Sequence, residues 1–378
     1  MIGTFQTYAC SVIDGTQGIS TMAAARNPPS ERELLAIARE ALRTRFPLTW
    51  SQEKTAAGPP FDGVLALRAP DGRAARLRLE VKSVLNARDV PLIAERLAAS
   101  VGNGTPTFDV VVARYLSPRA REALAAANLS YVDATGNVRL AFDDPAVFVE
   151  TAGANNDPWR GPERPTNSLR GRPAARVVRA LTDLRPPWKV RALAGAAGTS
   201  VGSTVRTLDF LDREALITRA SSGSVIDVSW QALIQRWAAD YELGRKQRLV
   251  RLIEPRNLTR LEATAETSGL RYAFSGSLAA RWRAPYADPR LALLYTDDLD
   301  AMQERLGLRV SDVGTNVLLI EPVDDLVFLR TWRERNTTYA ALPQVAVDLL
   351  AGPGRSPEEG AALLEWMGAH EDQWRPAR

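Results

Sequence analysis

The chain is almost without the two residues that most often do chemistry at neutral pH. It has one cysteine, Cys10, and one histidine, His370. A single cysteine excludes an intrachain disulfide framework and any multi-cysteine zinc site. A single histidine, close to the C-terminus, excludes His-rich metal sites and leaves little room for a histidine-based triad. Any chemistry falls to carboxylates, lysine, serine and metal ions. Lysine is scarce as well: Lys54, Lys82, Lys189 and Lys246 are four among 48 basic residues, and the rest are arginine. With abundant alanine, that skew reads as the mark of a GC-rich genome. It makes each lysine a departure from the default cation. No apolar run approaches the roughly 18–20 residues that span a bilayer. The first residues lack the basic and long apolar regions of a signal peptide. A cytoplasmic protein with no membrane partner is expected. Residues 1–29 are expected to be a disordered extension, with Met22 an alternative start.

What is present is an ordinary globular composition, 45% hydrophobic and 24% charged, over 378 residues. Global disorder is excluded, and two or three domains are expected. The net charge of +4 hides a partition. Residues 1–157 balance 17 basic against 17 acidic, residues 158–260 carry 19 against 9, and residues 261–378 carry 12 against 18. The basic middle suggests a polyanion-binding module. The Pro- and Gly-rich stretch 153–172 reads as a linker. The boundaries that follow are 30–152, 173–243 and 257–370. A softer boundary lies where Arg245, Lys246, Arg248 and Arg251 end a helical stretch beginning near Ser229.

In the middle segment, 174–184 place Val177, Val178, Leu181 and Leu184 at helical spacing. A second short helix is expected over 188–197, then a Gly198-Thr199-Ser200 turn. A third helix follows with Val201, Val205, Leu208 and Leu211 inward. Two short strands joined by 220–224 complete a winged helix-turn-helix. The third helix then turns Ser200, Ser203, Thr204, Arg206 and Thr207 outward. Short hydroxyls and an arginine suit a major groove, where Arg bonds guanine and Ser or Thr bonds phosphates or base edges. Thr199 in the turn joins this list, and Lys189, Arg191 and Arg219 are expected to hold phosphates. Double-stranded DNA is the expected partner.

In the first segment, an amphipathic helix over 31–45 precedes a hairpin, with Asp62 opening one strand and Glu80-Val81-Lys82 on the next. Further helices and strands follow to Asp133. The order and the Asp…Glu-x-Lys pattern resemble the PD-(D/E)xK nuclease superfamily. The resemblance implies a restriction-endonuclease-like domain in which Asp62 and Glu80 ligate Mg²⁺ and Lys82 polarises the attacking water or the phosphate. Glu80 and Lys82, two apart on a strand, share one face, and a hard divalent ion wants carboxylate oxygens. No cofactor is expected otherwise.

In the last segment, a strand, Ser275-Gly276-Ser277, a helix and the apolar strand 291–295 resemble the nucleotidyltransferase fold. The stretch matching its paired carboxylates is Asp288-Pro289-Arg290. A cation replaces the second acid, so transferase activity is not expected. From about 172 to 367 the chain resembles the AbiEi-like antitoxin family of type IV toxin–antitoxin systems. The resemblance rests on the winged helix, Ser275-Gly276-Ser277, Val317-Leu318-Leu319-Ile320-Glu321-Pro322, the apolar run 343–350, Gly352-Pro353-Gly354-Arg355 and Leu364-Glu365-Trp366-Met367. It implies a transcriptional regulator that binds operator DNA and opposes a cognate nucleotidyltransferase-like toxin. The expected fold is thus a multidomain α/β chain of these three parts. Two alternatives stand beside the regulator: a Mg²⁺-dependent DNA nuclease, and an interaction scaffold that does not bind DNA.

Overall fold

The computed structural model describes residues 27–45, 49–52, 61–69, 72–99, 106–144, 146–159, 168–243, 247–311 and 313–377. Most of the expected N-terminal extension, Lys54, the turn residues Pro70 and Asp71, and the basic pair Arg245 and Lys246 lie outside them. The chain is mixed α/β and divides into two compact units, Met1–Arg164 and Pro165–Arg378.

In the first unit, helix α1 (Glu31–Arg45) precedes strands β1 (Thr49–Gln52), β2 (Gly63–Arg68) and β3 (Ala74–Lys82). Helix α2 (Val90–Ala98) leads to β4 (Thr107–Ala113), and α3 (Pro118–Ala126) to β5 (Ser130–Asp133). Strands β6 (Val138–Asp143) and β7 (Ala146–Thr151) follow. Among the described residues the strands form one sheet in sequence order. The β1–β2–β3 and β5–β6–β7 ends are antiparallel, while β3–β4–β5 is parallel, as the helical crossovers require. Alternation along β3 sends Leu77, Leu79 and Val81 into the core against Leu34, Ala38 and Leu42 of α1. Each such leucine contributes about 1.5–3 kcal/mol of burial. The same alternation places Arg78, Glu80 and Lys82 on the opposite face.

The chain past β7 stays bonded to this unit. Arg114 pairs with Asp157 at 2.7 Å, and Arg121 donates to the Asn155 side chain at 2.6 Å. Gly153 passes so close to the β5–β6 turn that a Cβ there would lie 2.4 Å from Thr135 O. Only glycine permits that approach.

The second unit begins with α4 (Arg172–Asp183), α5 (Val190–Ala197) and α6 (Val201–Arg213). A hairpin of β8 (Ile217–Arg219) and β9 (Val225–Val228) follows, then α7 (Trp230–Ala238). Trp188, expected to open the second helix, instead exchanges backbone hydrogen bonds with Val225 at 2.8 and 2.9 Å. Its ring is buried, and α5 starts two residues later.

Beyond α7, the residues expected to end a long helix form strand β10 (Arg248–Ile253) instead. There Leu252 points into the core while Arg248 and Arg251 are exposed. The remaining elements are α8 (Leu258–Glu266), β11 (Tyr272–Ser275), α9 (Ser277–Ala280), β12 (Ala292–Thr296) and α10 (Leu299–Leu306). After them come β13 (Arg309–Val310), β14 (Val317–Glu321), β15 (Trp332–Glu334), β16 (Thr337–Tyr339), α11 (Leu342–Leu350), α12 (Ser356–Ala369) and α13 (Glu371–Trp374). The sheet runs β13-β10-β14-β12-β11-β16-β15.

One apolar core runs through this unit, joining Leu181, Trp188 and Leu208 to Phe274, Leu294 and Val345. Polar contacts reinforce it. Arg179 of α4, fully buried, pairs with Asp183 and donates to Leu326 O, Leu329 O and Gln344 Oε1, all within 3.2 Å. From the other end of the unit, Arg375 donates to Leu181 O at 2.8 Å and Thr182 O at 3.1 Å. Trp374 packs edge-on against Trp230, whose Nε1 donates to Glu371.

Candidate nucleic-acid interface

Helices α5 and α6 are joined by a turn that the local sequence dictates. Gly198 ends α5 in the left-handed region, at φ +61°, where a Cβ would be strained. Ser200 then caps α6 by accepting from Ser203 N at 3.2 Å. The apolar stripe of α6 lies differently from its expected frame. Thr204, Thr207, Leu208 and Leu211 face inward, while Val201 is 45% exposed and Val205 half-buried.

Thr204 and Thr207 are therefore removed from the expected outward set. They are 0% and 3% exposed, and their hydroxyls donate to Ser200 O and Ser203 O, both at 3.0 Å. That bond to the carbonyl one turn back lets a threonine be buried without an unpaired hydroxyl. Thr199 is drawn in too, with its hydroxyl 2.8 Å from that of Thr204.

What α6 presents outward is Val201, Gly202 and Arg206, with Ser200 at the cap and Ser203 half-buried. Arg206 is exposed and donates only to Ser203 Oγ at 3.0 Å. Lys189 precedes α5 and Arg191 lies in its first turn. Both are exposed and make no ion pair among the described residues. Arg219, on the hairpin, is committed: it pairs with Asp209 of α6 at 2.8 Å and donates to Gly223 O. It fixes the hairpin against the helix, which weakens its own charge toward any partner.

The first unit brings Asp62, Glu80 and Lys82 together. Asp62 N donates to Leu79 O at 3.1 Å, and its Oδ2 accepts from Val81 N at 2.7 Å, so it brackets Glu80. Glu80 is 3% exposed, and its Oε1 accepts Lys82 Nζ at 2.6 Å and also the Arg96 guanidinium of α2. Mg²⁺ needs carboxylate oxygens free to turn toward it. Here two cations already share the one Glu80 oxygen, and one Asp62 oxygen serves the backbone. Among the described residues no group of three or more His, Cys, Asp or Glu is placed to hold a metal. As arranged, one oxygen of each carboxylate is engaged, and Lys82 and Arg96 would have to move for Glu80 to turn that oxygen to a divalent ion. Asp109, a further acid on the neighbouring strand, is taken by Arg78 in two 2.7 Å bonds.

The Ser-Gly-Ser motif is turned inward. Ser275 Oγ donates to Asp348 Oδ2 at 2.6 Å, and Ser277 Oγ donates to the buried Glu359. Asp348, 2% exposed on α11, also accepts from Tyr295 OH and Gln344 Nε2, both at 2.9 Å. Burial, only partly offset by these hydrogen bonds, pushes its carboxyl up to about 6. The same burial, beside the Asp348 charge, holds the Tyr241 and Tyr295 phenols well above their usual range. No part of this cluster was among the expected site residues. Its one sequence signal is a lone acid inside the apolar run 342–350.

No family model matches the chain, and no curated protein matches it. Among solved structures, the apo form of EndoMS is similar over 28% of this chain and 47% of that one. The two are 21% identical, with a TM-score of 0.18. The match thus spans less than half of that structure. Among the described residues no helix is long and apolar enough to cross a membrane.

Proposed function

We propose that the protein is a DNA-binding transcriptional regulator whose residues 173–243 act as a winged helix. In this reading α6 enters the major groove, the β8–β9 hairpin is the wing, and α5 lies along the backbone. The observation that carries it is the set of exposed cations without carboxylate partners among the described residues, Lys189 just before α5, Arg191 on α5 and Arg206 on α6, the two helices being joined by the Gly198 turn. A protein-binding surface has no need to leave these charges uncompensated. Phosphates reward them through release of counterions. The second unit corresponds in this reading to an AbiEi-like antitoxin with a nucleotidyltransferase-like part. A cognate toxin is its proposed partner, and the nuclease-like first unit is a scaffold.

The test is binding of the purified chain to the DNA upstream of its own gene, against a scrambled duplex, across a salt series. Arg206→Ala is expected to cost about 1–3 kcal/mol in specific binding. Equal affinity for both duplexes at every salt concentration would discard the reading. Incubation of supercoiled DNA with the chain and Mg²⁺ or Mn²⁺ tests the nuclease alternative. Cutting that Glu80→Ala abolishes would put that alternative first.

A further inference from the structure

The second unit contains a cavity of about 520 Å³ where α4 and α7 meet the segment 322–327. Leu169, Ala175, Trp237, Val323, Leu326 and Val327 give it an apolar wall. Its volume lies within the range of small-molecule sites. We propose that this cavity binds a small, uncharged, largely apolar molecule.

The charge of the occupant follows from the charged groups in the wall, each of which already has an opposite partner. Arg170 pairs with Glu242 at 3.3 Å, Arg172 with Asp324 at 2.9 Å, and Asp240 with Arg236 at 2.8 Å. Asp324 is bound a second time by Arg176. Also in the wall, the Tyr241 hydroxyl accepts from Gln344 Nε2 at 3.2 Å, and that amide also donates to Asp348. Gln344 Oε1 meanwhile accepts from Arg179. An ionic ligand reaching past the rim would have to break the largely buried Asp240–Arg236 or Arg176–Asp324 pair or sit unpaired against hydrocarbon, and either is costly. An uncharged ring or chain disturbs none of them, gains contact with Trp237 and the aliphatic wall, and displaces only water.

Two fluorescent probes of nearly the same skeleton test the inference on the full chain. Phenylnaphthylamine is uncharged, and anilinonaphthalenesulfonate adds a sulfonate. The uncharged probe is expected to bind saturably at one site, and the sulfonate roughly tenfold more weakly or worse. Ala175→Phe fills the cavity, and Val323→Glu places a charge at its rim from a position already 46% exposed. Each is expected to weaken the uncharged probe by roughly tenfold. Should Ala175→Phe fail to fold, Val323→Glu decides alone. Non-saturable binding of the uncharged probe, equal binding of the sulfonate, or wild-type binding by folded variants would overturn the proposal. None of these readouts depends on whether the chain binds DNA.

Discussion

Arg176 joins Asp324 to the turn between α5 and α6. Its Nε donates to Asp324 Oδ2 at 2.8 Å, while its Nη1 lies where a Cβ on Gly198 would come within 2.9 Å. One guanidinium thus touches both the cavity wall and the turn that sets the angle of α6. A methyl at Gly198 meets two obstacles, the positive φ and this side chain.

Gly198→Ala is therefore expected to lower stability by about 1–2 kcal/mol, the cost of a left-handed alanine, plus whatever Arg176 gives up by moving. Urea unfolding measures it. In an Arg176→Ala background, Gly198→Ala should cost only the first part. An unchanged midpoint for Gly198→Ala would mean that the turn does not hold this conformation.

The inward turn of Thr204 separates it from Arg206. Thr204→Val keeps the shape and removes the hydroxyl, and is expected to cost about 1 kcal/mol of stability with little change in DNA affinity. Arg206→Ala is expected to do the reverse. A folded Thr204→Val that binds DNA as poorly as Arg206→Ala would place the threonine in the interface after all.

Lys189 and Arg191 are expected to act on phosphates alone. Replacing either with alanine should weaken specific and non-specific duplexes alike, and reduce the salt slope by about 1. A loss confined to one sequence would assign that residue to base reading instead.

Asp348 predicts a pH dependence with a definite sign. Its folded pKa of about 6 lies above the ordinary 3.8, so the folded state favours the protonated acid. The associated stability is complete below 3.8 and is lost as the pH rises through about 6. The difference is on the order of 3 kcal/mol. Asp348→Asn removes the titration, so its stability should fall less than that of the wild type over this window. Parallel curves from chemical unfolding at stepped pH would show that Asp348 titrates normally.

Much of this architecture was legible in the sequence because it rests on local periodicity. The amphipathic spacing in α1 and the alternation through β2 and β3 each name their own buried face. The frame of α6 was not legible, because two stripes compete there. Val201, Val205, Leu208 and Leu211 read as more apolar than Thr204, Thr207, Leu208 and Leu211. Burial nevertheless chose the second, since a threonine can satisfy its hydroxyl within the helix. Strand β10 was obscured by Arg248 and Arg251, although the apolar residues Leu249, Val250, Leu252 and Ile253 beside them were available. The Asp348 cluster is non-local: Ser275 lies 73 residues away and Tyr295 lies 53. No spacing rule links groups so far apart. In the first unit Asp62, Glu80 and Lys82 were found by motif, but Arg96, which alters what Glu80 can do, comes from a helix the motif does not include.

Residues 371–375 fold back on α4 and α7, where Arg375 holds the carbonyls of Leu181 and Thr182 and Trp374 covers Trp230. A rearrangement that carried residues 168–243 to a new partner gene would leave those carbonyls and that ring bare. The proposed DNA-binding segment and the C-terminal residues that cover it therefore form one piece. If the proposed function holds, a new operator preference means rewriting the surface of α6 in place rather than exchanging the segment.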